Sequence, residues 1–168
     1  NANGRSRIVG EDRADIEVVV SKTARAESSE AADRLLEPIR LTHDDSDDLL
    51  SLEVEIPRRW NRRGGANGEI RVPREIEIEL DSINGRIEIS GLRARVRARS
   101  SNGSACIADV VGNIEVATSN AKVCCSETRG KLVARSSNGK IEIDEHRGSV
   151  DASTSNGLIR ACLEEVGK

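Results

Sequence analysis

From about residue 67 the chain alternates apolar and polar positions in short runs, and each run ends at Gly or Asn. Lys140-Ile141-Glu142-Ile143 and Ser149-Val150-Asp151-Ala152 are two such runs. Successive side chains of a strand point to opposite faces, so this alternation predicts short strands with one face buried. The runs also repeat. Asn84, Asn102, Asn120, Asn138 and Asn156 recur at a spacing of 18. Three residues after each Asn stands Ile87, Ala105, Val123, Ile141 or Ile159, and two further on Ile89, Ile107, Cys125, Ile143 or Ala161. A glycine column, Gly112, Gly130 and Gly148, keeps the same period and opens a second apolar pair such as Leu132 and Ala134. The pattern predicts an all-β, parallel β-solenoid of about 18 residues and two short strands per rung, with tight turns at Asn and Gly.

The chain reads as a single domain over 1–168, with irregular lead-in rungs over 1–66 and regular repeats over 67–168. Within the lead-in, Asp15 to Val20 reads as a strand. Ser28 to Leu36, opened by a serine cap and closed by Pro38, predicts one short inserted helix near 28–37. Ile39-Arg40-Leu41 and Leu50 to Ile56 alternate again, as imperfect early rungs. Asp44-Asp45-Ser46-Asp47-Asp48 reads as a solvated hairpin turn, because it lacks the glycine and distal glutamate of a calcium-binding loop.

Composition agrees with a thin core. Trp60 is the sole aromatic and there is no Met. Strand layers about 10 Å apart accommodate Ile, Val, Leu, Ala and Cys but little Phe. With 26 Lys+Arg against 29 Asp+Glu, no bulk field favours nucleic acid. The basic run Arg93, Arg95, Arg97, Arg99 meets Glu75, Glu77, Glu79 and Asp81 one rung earlier, so it reads as a register-setting salt ladder. One half-rung earlier, a spacing of 17 matches Glu69 with Arg86 and Arg71 with Glu88. No apolar run reaches the roughly 20 residues of a membrane span. The absence of an N-terminal Met and of a signal-like segment reads as a fragment or a processed form.

Candidate chemistry is sparse. The segment Arg58-Arg59-Trp60-Asn61-Arg62-Arg63 surrounds the only aromatic with four arginines and is the candidate contact loop. Cys106 and Cys124 share an outward column at adjacent rungs, roughly 4.8 Å apart. They read first as stacked outward thiols and second as a disulfide. Cys125 points inward and Cys162 outward. His43 and His146 are assigned to turns, with Asp144, Glu145 and His146 forming a polar corner. No spacing supports a metal site, a cofactor or a catalytic set. The Asn column reads as a structural turn ladder whose amides hydrogen-bond from rung to rung.

Ser137-Asn138-Gly139-Lys140-Ile141-Glu142-Ile143 alternates with Gly148-Ser149-Val150-Asp151-Ala152-Ser153-Thr154. These repeats resemble the bacterial β-strand-repeat family of unknown function that carries an adhesin label. The resemblance covers about residues 67–168. It implies a right-handed coil and a place in the bacterial cell envelope or outside the cell, and it transfers no catalytic residues. The expected function is a non-enzymatic scaffold or binding module of the envelope, with adhesion as one use and an envelope, glycan or protein ligand. The alternative is a structural protein that self-associates end to end through solenoid edges. Its motive is the last unit, Asn156 to Leu163, which stops without a capping helix and turns Leu158 outward. That end reads equally as a chain truncated before its cap.

Overall fold

A computed structural model of the chain describes residues 4–24, 40–46, 49–55 and 64–163. Among the described residues there are twelve strands and no helix. The strands are β1 (Arg5–Glu11), β2 (Glu17–Ala24), β3 (Arg40–Ser46), β4 (Leu49–Glu55), β5 (Gly64–Pro73) and β6 (Ile78–Ser82). They continue with β7 (Arg86–Ser90), β8 (Val96–Ser100), β9 (Ala105–Thr118), β10 (Val123–Ser136), β11 (Ile141–Thr154) and β12 (Ile159–Leu163). The helix expected near 28–37 lies outside the described residues, as do Arg58, Arg59, Trp60, Arg62 and Arg63.

The repeats stack as a β-solenoid of about five turns. Every regular rung pairs in parallel with the rung 18 residues away: Val123 lies beside Ala105 and Ile141, and Ala134 beside Val116 and Ala152. The coil has two faces. The first limbs of β9, β10 and β11 continue through β7 at one end and β12 at the other. The second limbs continue through β8 to β6.

Two short strands per rung is too many for the last three full rungs. Each of β9, β10 and β11 is one 14-residue strand that turns a corner without losing its ladder. The corner is made by Asp109, Glu127 and Glu145, with φ of 47°, 52° and 54°, stacked on Gly91 at 75°. Left-handed backbone at one residue bends the strand while its neighbours keep pairing. The glycine column follows three residues later. Gly130 has φ 117°, and a Cβ there would stand 2.3 Å from the Gly112 carbonyl oxygen. The glycine is therefore required by conformation and by the close approach of the rung below.

The amino-terminal strand corrects the predicted match at spacing 17. β1 inserts in parallel between β5 and β7, with Ile8 beside Ile70 on one side and Ile89 on the other. Glu69 and Arg86 are thus not neighbours. Arg7 instead takes the register position between Glu69 and Glu88, and Arg5 ion-pairs with Glu88. Apolar Ile8 and small Ser6 and Gly10 let β1 fit the interior column, and its arginines complete the outer charge pattern. The lead-in strands are not early rungs. β2 pairs antiparallel with β5, and β3 pairs with β4 as a separate antiparallel hairpin. Asp44, Asp45 and Ser46 of the acidic cluster pair with Ser51, Leu50 and Leu49, so these three belong to a strand and not to the expected turn, while Asp47 and Asp48 lie outside the described residues.

The core is one ladder of small and medium side chains: Ile87, Ile89, Val96, Ile107, Ile114, Val123, Cys125, Leu132, Ile141 and Ile143 are all buried. A further interior column runs Leu92, Val110, Thr128, His146. His146 is therefore not at a solvated turn. It follows the left-handed Glu145, which swings the next side chain inward.

Candidate functional site

The turn that carries the asparagine column organises the second face. Each Asn amide donates one rung back: Asn102 Nδ2 to Asn84 Oδ1 at 2.8 Å, Asn120 to Asn102 at 2.7 Å, Asn138 to Asn120 at 2.8 Å and Asn156 to Asn138 at 2.9 Å. The backbone joins in, since Asn138 N donates to the Ser119 carbonyl oxygen at 2.8 Å. The Ser/Thr column two residues before each Asn points inward. Ser100 and Ser136 accept from the amides of Gly103 and Gly139, and Thr118 donates to the Gly103 carbonyl oxygen. Those hydroxyls cap the turn. Ala121 has no positive φ, so the glycines at this position answer a second demand. A Cβ on Gly139 would meet the Ala121 carbonyl oxygen at 1.7 Å.

Beside this rigid turn the second face is hollowed. The hollow is open to solvent, has a volume of about 420 Å³ and is lined by Arg99, Ala117, Ser119, Arg135, Ser137 and Ser153, over the buried Ser100, Thr118 and Ser136. Arg99, Ala117, Arg135 and Ser153 form one outward column on neighbouring strands. The hollow exists because the methyl side chain of Ala117 is too short to fill the space between two arginines. Sequence reasoning singled out Arg99 but missed Arg135. The signal was available, since residues 81, 99, 117, 135 and 153 share the period of 18.

The electrostatics of this face follow the ladder with a changed pairing. Arg97 meets Glu79 at 3.3 Å, as the register predicts. Arg99 turns away from Asp81 to bond Glu115 at 3.2 Å, and Arg93 bonds Asp109 at 3.1 Å rather than Glu75. Both turn forward to the next rung. The hydrogen bond from Arg99, with Arg97 and Arg95 nearby, holds the Glu115 carboxyl below its usual range. Arg135 is held only loosely, 3.8 Å from Asp151, and its side chain is 65% exposed.

The first face carries the cysteines. Cys106 and Cys124 form a disulfide, with Cα atoms 4.6 Å apart. This overturns the first reading of two free thiols; parallel register places both side chains on the same face at bridging distance. Cys125 is buried and its thiol is pushed up to about 12 by burial, while Cys162 is exposed and free. Next to the disulfide, Lys122 and Lys140 both bond Glu142 and hold its carboxyl down at about 2.

Among the described residues no cluster of three or more His, Cys, Asp or Glu side chains is arranged to hold a metal ion. No described helix is long and apolar enough to cross a membrane. Compared with protein-family models, curated proteins and solved structures, the chain matches none.

Proposed function

We propose that this chain is a non-enzymatic scaffold or binding module of the bacterial cell envelope, with adhesion as its use. The observation that carries the reading is the hollow on the second face, which holds Arg99, Arg135 and three serines at fixed rung spacings. A parallel ladder stapled by backbone, asparagine and disulfide bonds fixes the backbone beneath its outward side chains in advance, which lowers the ordering cost of recognising an extended ligand. The loop of Arg58, Arg59, Trp60, Arg62 and Arg63 is a second contact in this reading. The test is retention of fluorescently labelled chain on fractionated bacterial envelope. Saturable retention that unlabelled chain displaces is expected. Its absence from polysaccharide and protein fractions alike would remove the reading.

End-to-end self-association is the second reading. Leu158, Ile159 and Leu163 are exposed at the last described rung, and β12 has only β11 as its partner among the described strands. An exposed edge of this kind can template another strand. Continuation of the second face in register opposes it, because β6 of the next copy would bring Glu79 beside Asp151 and Asp81 beside Ser153. Like charges directly opposite destabilise a pair of strands. Light scattering over a wide concentration range separates the two: a constant monomer mass favours the binding module, and growth into long assemblies favours stacking.

A further inference from the structure

We propose that the hollow between Arg99 and Arg135 binds the oxyanion of an acidic polysaccharide. The inference rests on the binding-module reading and names its ligand class. Ala117 pairs with Arg99 on one side and Arg135 on the other. The two arginine backbones are therefore two rungs, about 9–10 Å, apart. Nothing stands between them above Ala117, so two long side chains can close on one group from opposite sides.

The chemistry of the lining selects that group. A guanidinium offers parallel N–H donors that match two oxygens of a carboxylate or a sulfate. Glu115 lies 3.2 Å from Arg99, and Asp151 lies 3.8 Å from Arg135. Both acids sit in the adjacent outward column, not over Ala117. A guanidinium carries five N–H donors, so these contacts leave both arginines with further donors for an incoming oxyanion. Because the attraction joins solvent-exposed charges, binding weakens as salt rises.

The hydroxyls of Ser119, Ser137 and Ser153 line the same space and engage no partner among the described residues. They suit the hydroxyls that flank an acidic group on a sugar chain. Ala117 is the one apolar side chain of the lining, which provides little of the desolvated core that a protein partner needs. No aromatic lines the hollow, so a nucleic acid finds no stacking surface. The hollow is shallow and open along the ladder, which admits a polymer passing across the rungs.

The test is calorimetric titration of the full chain with polygalacturonate, dextran sulfate, neutral dextran and inorganic sulfate. At least one charged polymer is expected to bind, and the two distinguish a carboxylate from a sulfate ester. Neutral dextran is expected not to bind. Arg99→Ala and Arg135→Ala should each weaken binding at least tenfold, and Ala117→Leu should block it. Arg129→Ala, on an exposed corner outside the hollow, should leave it unchanged. Urea midpoints confirm that each variant is folded. Inorganic sulfate binding as tightly as the polymers overturns the polysaccharide. Equal binding of neutral dextran, or polymer binding indifferent to both arginines, overturns the site. A chain retained on envelope fractions that binds none of these probes overturns the inference alone, whereas loss of retention overturns the binding-module reading beneath it.

Discussion

Thr128 Oγ1 and His146 Nδ1 share a hydrogen bond of 2.9 Å inside the coil, on adjacent strands of the interior ladder. The pair replaces the apolar contact that Leu92 and Val110 make in the same column. Burial holds the His146 imidazole below its ordinary pKa of 6.5. The folded state therefore binds fewer protons than the unfolded state just below that value, and stability rises with pH across the window. The stabilisation is fully present above pH 6.5 and is lost as pH falls through the lowered folded pKa. Urea midpoints should fall between pH 7.5 and 5.5, and His146→Val should remove most of that fall. Identical slopes in the two proteins would contradict the assignment. Glu142 acts in a separate window, since its contribution is lost only as pH falls below the ordinary 4.5 towards about 2.

Asn120 both donates to Asn102 and accepts from Asn138. Asn120→Ala removes two side-chain bonds and should cost about 1–2 kcal/mol, at the lower end for solvent-exposed amides. Asn156→Ala removes the single bond to Asn138 and should cost about half as much. Chemical denaturation measures both. Equal losses would mean that the column acts only through its local turns.

Gly130→Ala places a Cβ 2.3 Å from the backbone oxygen of Gly112 at a φ of 117°. The expected loss exceeds about 2 kcal/mol, because the obstructing atom is backbone and cannot rotate away. Gly68 has no atom within 4 Å of its added Cβ and no positive φ. Gly68→Ala should be neutral or slightly stabilising. Thermal denaturation of the two variants distinguishes positional demand from general glycine content.

The disulfide between Cys106 and Cys124 closes a loop across a sequence separation of 18. Loop-closure entropy of that size corresponds to about 3 kcal/mol in the unfolded chain. Reductant should lower the urea midpoint of the native chain and leave the doubly substituted Cys106→Ser, Cys124→Ser protein unaffected. Free thiols counted before reduction should be those of Cys125 and Cys162 alone. Four reactive thiols in the denatured, unreduced chain would contradict the bridge.

Much of the coil is legible in the sequence because each rung repeats its demands. The period of 18, the inward Ile, Val and Leu columns and the asparagine ladder follow from short-range alternation and turn chemistry. Elements outside the period are less legible. β1 enters between β5 and β7 through pairing across more than fifty residues, and no local pattern announces that neighbour. His146 resembles a solvated residue beside Asp144 and Glu145, and only its column with Val110 and Thr128 reveals that it points inward. The hollow was hidden for a related reason. It depends on Ala117 being small between Arg99 and Arg135, a relation visible only when the rungs are stacked.

Two single substitutions compared on the same envelope fraction distinguish the second face from the first as the binding surface. Ala117→Trp fills the hollow of the second face, and Ser126→Trp places the same bulk on the outer side of the first face. Both positions are outward and flanked in sequence by buried or corner residues, so unchanged urea midpoints should accompany each. Ala117→Trp should lose envelope retention at least tenfold while Ser126→Trp keeps it. Retention that survives Ala117→Trp, or falls equally in both, would contradict the assignment of the second face as the binding surface.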